Sequence, residues 1–188
     1  MYRYQLFRST AEHIVGAFHA GFYLEAVTLI ESVLGERFES RLQYHDVQDP
    51  GFHTLGYVIK SLRRREKEGS DFKELLERAD QWRLDRNCVL HEIAKTAEGD
   101  RRPFRNKLKI SRAVVLDGTR LLLDFHELDE AARKRAGKRP PASSPDAFEP
   151  LKGILLDHEA GVTSNLLSER IKRGGDRSSR LPSRRGAT

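Results

Sequence analysis

The chain has 188 residues, a single cysteine and a formal net charge of +6. That length holds one ordinary domain with chain to spare, and a lone thiol excludes both a disulfide framework and a zinc cluster built on thiolates. No run approaches the roughly 20 apolar residues of a membrane span, and the opening Met1–His13 lacks the apolar stretch of a secretory signal, so a cytoplasmic protein is expected.

A first helix is predicted from Thr10 to about Ala20. Ser9 or Thr10 is its candidate cap, and Ile14, Ala17 and Phe18 form one apolar face. Gly21 breaks the pattern. A longer helix follows from Phe22 to about Leu42, where Val27, Ile30, Leu34, Phe38 and Leu42 recur at three- and four-residue steps. Gly35 inside it costs about 1 kcal/mol relative to Ala, and close packing against a neighbouring helix is its expected role. Gln43 to His53, with Asp49-Pro50-Gly51, reads as a loop.

Thr54 to Arg65 is predicted as a short helix carrying Leu55, Val58, Ile59 and Leu62. After Gly69, Ser70 or Asp71 caps a long helix whose stripe is Phe72, Leu75, Leu76, Ala79, Trp82, Val89, Leu90 and Ile93. Trp82 and Tyr23 are expected as core or interface anchors. Cys88 is expected as a buried thiol. Gly99 to Pro103 is a break, and a last long helix runs from about Ser111 to Arg135. Its core candidates are Val114, Val115, Leu121, Leu122, Phe125 and Leu128.

From Gly137 the composition changes. Gly137 to Pro145 is a linker by residue type; Leu151–Asp157 and Val162–Lys172 are candidate short helices; from Gly174 on, disorder is expected. Strand signals are scarce. The expected fold is therefore all-α: an antiparallel bundle of four to five helices over residues 1–136, then a linker and basic tail over 137–188.

The basicity is uneven. Up to Ala136 there are 24 Lys plus Arg against 22 Asp plus Glu, and from Gly137 on 10 against 6. Arg63-Arg64-Arg65 and Arg101-Arg102 read in two ways. They form a track for RNA phosphates, or they are solvated helix ends, where cations are favoured at a C-terminus. Arg105, Lys107 and Lys109 are in the same position. The tail arginines suit RNA or an acidic partner, or serve only solubility.

The segment Arg86-Asn87-Cys88-Val89-Leu90-His91 carries the chemistry. Arg86 follows Trp82 by four residues, which puts a costly guanidinium on or beside the apolar stripe. Asn87 and His91 share a face, being four apart. Arg86 and His91 are five apart, about 140° around a straight helix. They meet only through the long arginine side chain, a helix distortion or a second copy of the chain. A histidine can move a proton near neutral pH, and an arginine fork fits phosphate oxygens. Together with an amide they suit metal-free RNA cleavage, in which the ribose 2′-hydroxyl attacks the adjacent phosphate. The structural alternative has Arg86 paired with Asp85, Glu92 or Glu31 and His91 capping or lining a core.

The order Arg, polar residue, three further residues, His resembles the motif that marks HEPN domains. Gly21 to Leu34 is similar to that family's early long helix, and the motif stands in a later helix preceded by Leu75, Leu76 and Ala79, as in the family. The resemblance covers roughly residues 9 to 136. It implies a metal-independent endoribonuclease of toxin or phage-defence type, acting on RNA as a homodimer whose Arg and His from two chains form one composite site. Arg86 would hold the phosphate, His91 would be general acid or base, and Asn87 would position the substrate or His91. A subgroup of toxins has a tyrosine two residues after the His, the target of a nucleotidyltransferase. Ile93 stands there in this chain, so an antitoxin would have to act differently. The family also includes inactive members that bind nucleotides or partner proteins.

No His pair or His-Glu-x-x-His pattern suggests a metal, no glycine-rich phosphate loop is present, and no cofactor is expected. A helical nucleic-acid-binding regulator that uses the basic tail is a third reading.

Overall fold

The computed structural model describes residues 2–45, 53–94, 104–137 and 146–160. Every regular element there is a helix, and no strand occurs among the described residues. The elements are α1 (Tyr2–His19), α2 (Tyr23–Tyr44), α3 (Leu55–Arg63), α4 (Asp71–Ala94), α5 (Phe104–Arg135) and α6 (149–160). No described helix is long and apolar enough to cross a membrane.

Two helices begin well before the sequence expectation. α1 starts at Tyr2 rather than Thr10, because nothing in the first nine residues breaks a helix and Phe7 buries itself against Phe148 at 5.6 Å. Thr10 is therefore no cap: its hydroxyl donates back to the Leu6 carbonyl at 2.8 Å within the helix. α5 starts at Phe104 rather than Ser111. Ser111 is fully buried and donates to the Lys107 carbonyl at 2.9 Å, so a polar residue on the inner face masks the apolar period.

The remaining boundaries follow local chemistry. Gly21 takes φ +81°, and behind it Phe22 N–H reaches the Ala17 carbonyl at 2.8 Å and Gly21 N–H the Phe18 carbonyl at 3.1 Å. This paired closure needs a residue free to be left-handed. Thr54 Oγ1 accepts from Tyr57 N–H and caps α3, and Ser70 Oγ accepts from Lys73 N–H at 3.3 Å to start α4.

The chain divides into two compact units, Met1–Ile154 and Leu155–Thr188. The first extends past the boundary expected at 136. Ala147, Phe148, Leu151 and Ile154 are all buried, so this stretch belongs to the core and not to the tail. Asp146 anchors it through Phe148 N–H at 2.8 Å and through His126 Nε2 at 3.2 Å. Of the second unit only 155–160, the end of α6, is described. The expected helix at Val162–Lys172, the disordered end and most of the linker lie outside the described residues.

In the first unit α2 is central: it contacts α1, α3 and α5, while α4 packs on α3 and α5. Phe38 and Phe125 meet edge-on at 4.9 Å, with Phe72 against Phe125 at 6.0 Å. Trp82 is buried at the α4–α5 seam and donates from Nε1 to the Val114 carbonyl at 2.8 Å. Leu90 and Leu128, expected in the core, are only half-buried. Gly118 lies under the indole, where a Cβ would stand 2.7 Å from Trp82 Nε1. Gly118→Ala is expected to cost about 1–3 kcal/mol through overpacking, even though Ala favours the helix by about 1 kcal/mol. A fall in the urea midpoint at unchanged m-value is the readout.

Candidate active-site groove

A groove in the first unit with a volume of about 1000 Å³ lies between α2, the start of α3 and α4. One wall is the polar face of α2, with Glu31, Ser32, Gly35, Glu36 and Glu39. The other is α4, with Arg83, Arg86 and Asn87, and His53 to Gly56 close one end.

Arg86 stands one turn from each of the buried residues Trp82 and Val89, so the helix itself aims its stem inward. Its side chain is 14% exposed. The guanidinium pairs with the Glu31 carboxylate across the groove, and Nη1 donates to Asn87 Oδ1 at 2.7 Å. Its Nε is buried without a partner, and burial lowers the guanidinium pKa below the usual arginine value. Of the acidic residues named as partners from sequence, Arg86 meets Glu31, and the side chain of Glu92 lies outside the described residues. This supplies a structural reason for the arginine. It also leaves Arg86 oriented, partly dehydrated and facing an open groove.

His91 is exposed, five residues on, and does not line the groove. Arg86 and Asn87 come together in the groove, and His91, one helical turn beyond Asn87, is not among the residues that line it. Cys88, expected to be buried, is exposed. It lies about 240° around α4 from Trp82, away from the packed stripe.

Arg63 pairs with Glu77 at 3.5 Å and with Asp80 at 3.8 Å, Arg64 follows the last residue of α3 and is exposed, and Arg65 donates to the Ser61 carbonyl at 2.8 Å. All three stand at a helix C-terminus, the setting of the solvated-end reading. Arg101 and Arg102 lie outside the described residues, as does the side chain of Arg105.

Arg83 is a groove residue that sequence reasoning passed over. Asp80 holds it through Nε at 2.9 Å and Nη2 at 2.8 Å, and it lies over Gly56, where a Cβ would come within 3.3 Å of Arg83 Nε. Its signal was the three-residue step to Arg86. Gly35 also departs from expectation. Outside its own helix nothing lies within 4 Å of where its Cβ would stand, so it packs no neighbour and instead leaves the groove floor open.

Among the described residues no group of three or more ligating side chains gathers for a metal ion. Comparison with family models, curated proteins and solved structures returned no match.

Proposed function

We propose that the protein is a metal-independent endoribonuclease of HEPN type, a toxin or phage-defence effector acting on RNA as a homodimer. In this proposal α1–α5 form the core of a HEPN-like bundle. The observation that carries it is Arg86: a half-buried guanidinium, tied to Asn87, at the wall of an open groove. In this reaction the ribose 2′-hydroxyl loses its proton to a base and attacks phosphorus. The bond to the 5′-oxygen breaks, that oxygen takes a proton, and a 2′,3′-cyclic phosphate remains. Arg86 offers charge-assisted hydrogen bonds to the phosphoryl oxygens as negative charge builds. His91 moves the protons. Because His91 stands outside the groove, a second copy would bring its own histidine to this arginine.

A second reading is a non-catalytic HEPN-like domain that binds a nucleotide or a partner protein; the Glu31–Arg86 pair favours its protein-binding form, since Glu31 competes with any phosphate. The two separate on incubation of purified protein with tRNA and mRNA in EDTA. Fragments ending in 2′,3′-cyclic phosphate, absent with His91→Ala, support the ribonuclease. Equal fragmentation by both, or none, leaves the binding domain.

A further inference from the structure

The groove has two chemically opposite walls. The α4 wall presents the guanidiniums of Arg83 and Arg86, held by Asp80 and Glu31; the α2 wall beyond Glu31 presents Glu36 and Glu39. A polyanion alone gains nothing from carboxylates. A ligand with an anionic end and a donor-bearing end gains from both walls.

Glu39 makes no ion pair or hydrogen bond among the described residues, although it lines the groove. Glu36 is held at Oε1 by Arg3, while its Oε2 is buried without a partner. Between these residues and Glu31 the floor is Gly35, an intrahelical glycine with no packing reason to be there. Glycine in a helix interior costs about 1 kcal/mol, and close approach of a ligand to backbone is one use that offsets it. Glu39 lies eight residues beyond Glu31, the partner of Arg86, which is about 12 Å along α2 at 1.5 Å per residue. That is the scale of one nucleotide from phosphate to base edge.

We propose that this groove holds a guanosine nucleotide, with its phosphate on Arg86 and Arg83, its flat base over Gly35 and its Watson–Crick edge on the Glu39 carboxylate. A carboxylate is acceptor-only with two oxygens. Guanine alone offers two adjacent donors, N1–H and the N2 amino group, and so meets it with a bidentate pair. Adenine and cytosine set one amino donor beside a ring acceptor, and uracil sets its single N–H between two carbonyls. Unstacked bases in single-stranded RNA expose this edge. The inference rests on the same groove as the proposed ribonuclease and assigns Glu39 the choice of base. It holds equally for a free guanine nucleotide, which presents the same chemistry.

The test reads binding, so it does not depend on cleavage. Full-length protein carrying His91→Ala is titrated into fluorescein-labelled UUGUU, UUAUU and UUUUU RNA, followed by anisotropy. A bidentate base contact predicts about 5- to 100-fold tighter binding of UUGUU than of UUUUU. Glu39→Gln, which turns one oxygen into a donor, should bring that ratio close to one, and Gly35→Leu should weaken UUGUU by filling the floor. Competition by free guanosine 5′-monophosphate as effective as by UUGUU identifies the free nucleotide as the ligand. Equal affinity for the three RNAs, or a guanine preference that survives Glu39→Gln, overturns the inference. Base-independent cleavage in EDTA that free guanosine 5′-monophosphate does not inhibit overturns it too while leaving the ribonuclease intact. Guanine-selective binding without any cleavage upholds it and removes the ribonuclease.

Discussion

His91→Ala and Arg86→Met are each expected to slow RNA cleavage by roughly 10²- to 10⁴-fold, the range for losing a positioned proton carrier or a donor to developing charge. The two losses differ in origin. His91 is exposed and outside the groove, so its removal leaves the groove's geometry untouched and the melting temperature unchanged. Arg86 is the partner of Glu31, whose side chain is 27% exposed, and removing it strands a part-buried carboxylate. Arg86→Met should therefore also cost about 1–3 kcal/mol of stability, the penalty for an unsatisfied buried group. The double variant Glu31→Gln, Arg86→Met removes both charges and should recover that stability without recovering cleavage. If cleavage returns with the fold, Arg86 is structural and the proposed mechanism fails. Mixing the His91→Ala and Arg86→Met chains adds a second measurement. Activity reappears in the mixture only when an arginine of one chain meets a histidine of the other, the arrangement that their separation on α4 calls for. Glu31→Gln alone should tighten phosphate binding at Arg86, because the competing carboxylate is gone.

The helices were legible where apolar residues recur without interruption. The α2 period, Val27 to Leu42, places the observed helix to within two residues at each end. Legibility failed where one physical cue hid another. A cap-like Ser9-Thr10 concealed a helix already running, since a hydroxyl can bond back to a carbonyl one turn earlier as well as cap. Ser111 concealed the first turns of α5 for the same reason. Linker composition places a tail boundary at Gly137, yet Phe148, Leu151 and Ile154 are buried within the first unit. Arg86, Asn87 and His91 could be selected because they lie within six residues. The groove could not, because His53 to Gly56 reach it from a segment separated by a loop and Gly35 matters only through the space it leaves.

The largest loss of stability is expected at Glu66. Its carboxylate, 7% exposed, accepts from Arg41 Nε at 2.8 Å and lies 3.0 Å from His45 Nε2, and the Arg41 guanidinium stacks over the Phe72 ring at 4.0 Å. This cluster fastens the end of α2 to the chain following α3. Glu66→Gln strands a guanidinium whose side chain is only 10% exposed, and breaking such a buried pair costs about 3–5 kcal/mol. Against a total of about 5–15 kcal/mol for an ordinary domain, that moves the urea midpoint far towards zero denaturant. The pH dependence has a definite sign. Burial pushes the Glu66 carboxyl upward, but the hydrogen bonds from Arg41 and His45 and their charges outweigh it, so its pKa falls below the usual carboxyl value. A depressed carboxyl contributes stability that is complete above the unfolded-state pKa, about 4.3 for Glu, and is lost as pH falls through the lower folded value. Wild type should therefore lose more stability between pH 7 and pH 3 than Glu66→Gln does, and the gap between the two should close in acid. A gap of equal size at both pH values would mean that the charge on Glu66 contributes nothing to holding α2. Replacing both partners, Arg41→Met with Glu66→Gln, should return most of the lost stability at pH 7, because neither charge then remains buried alone.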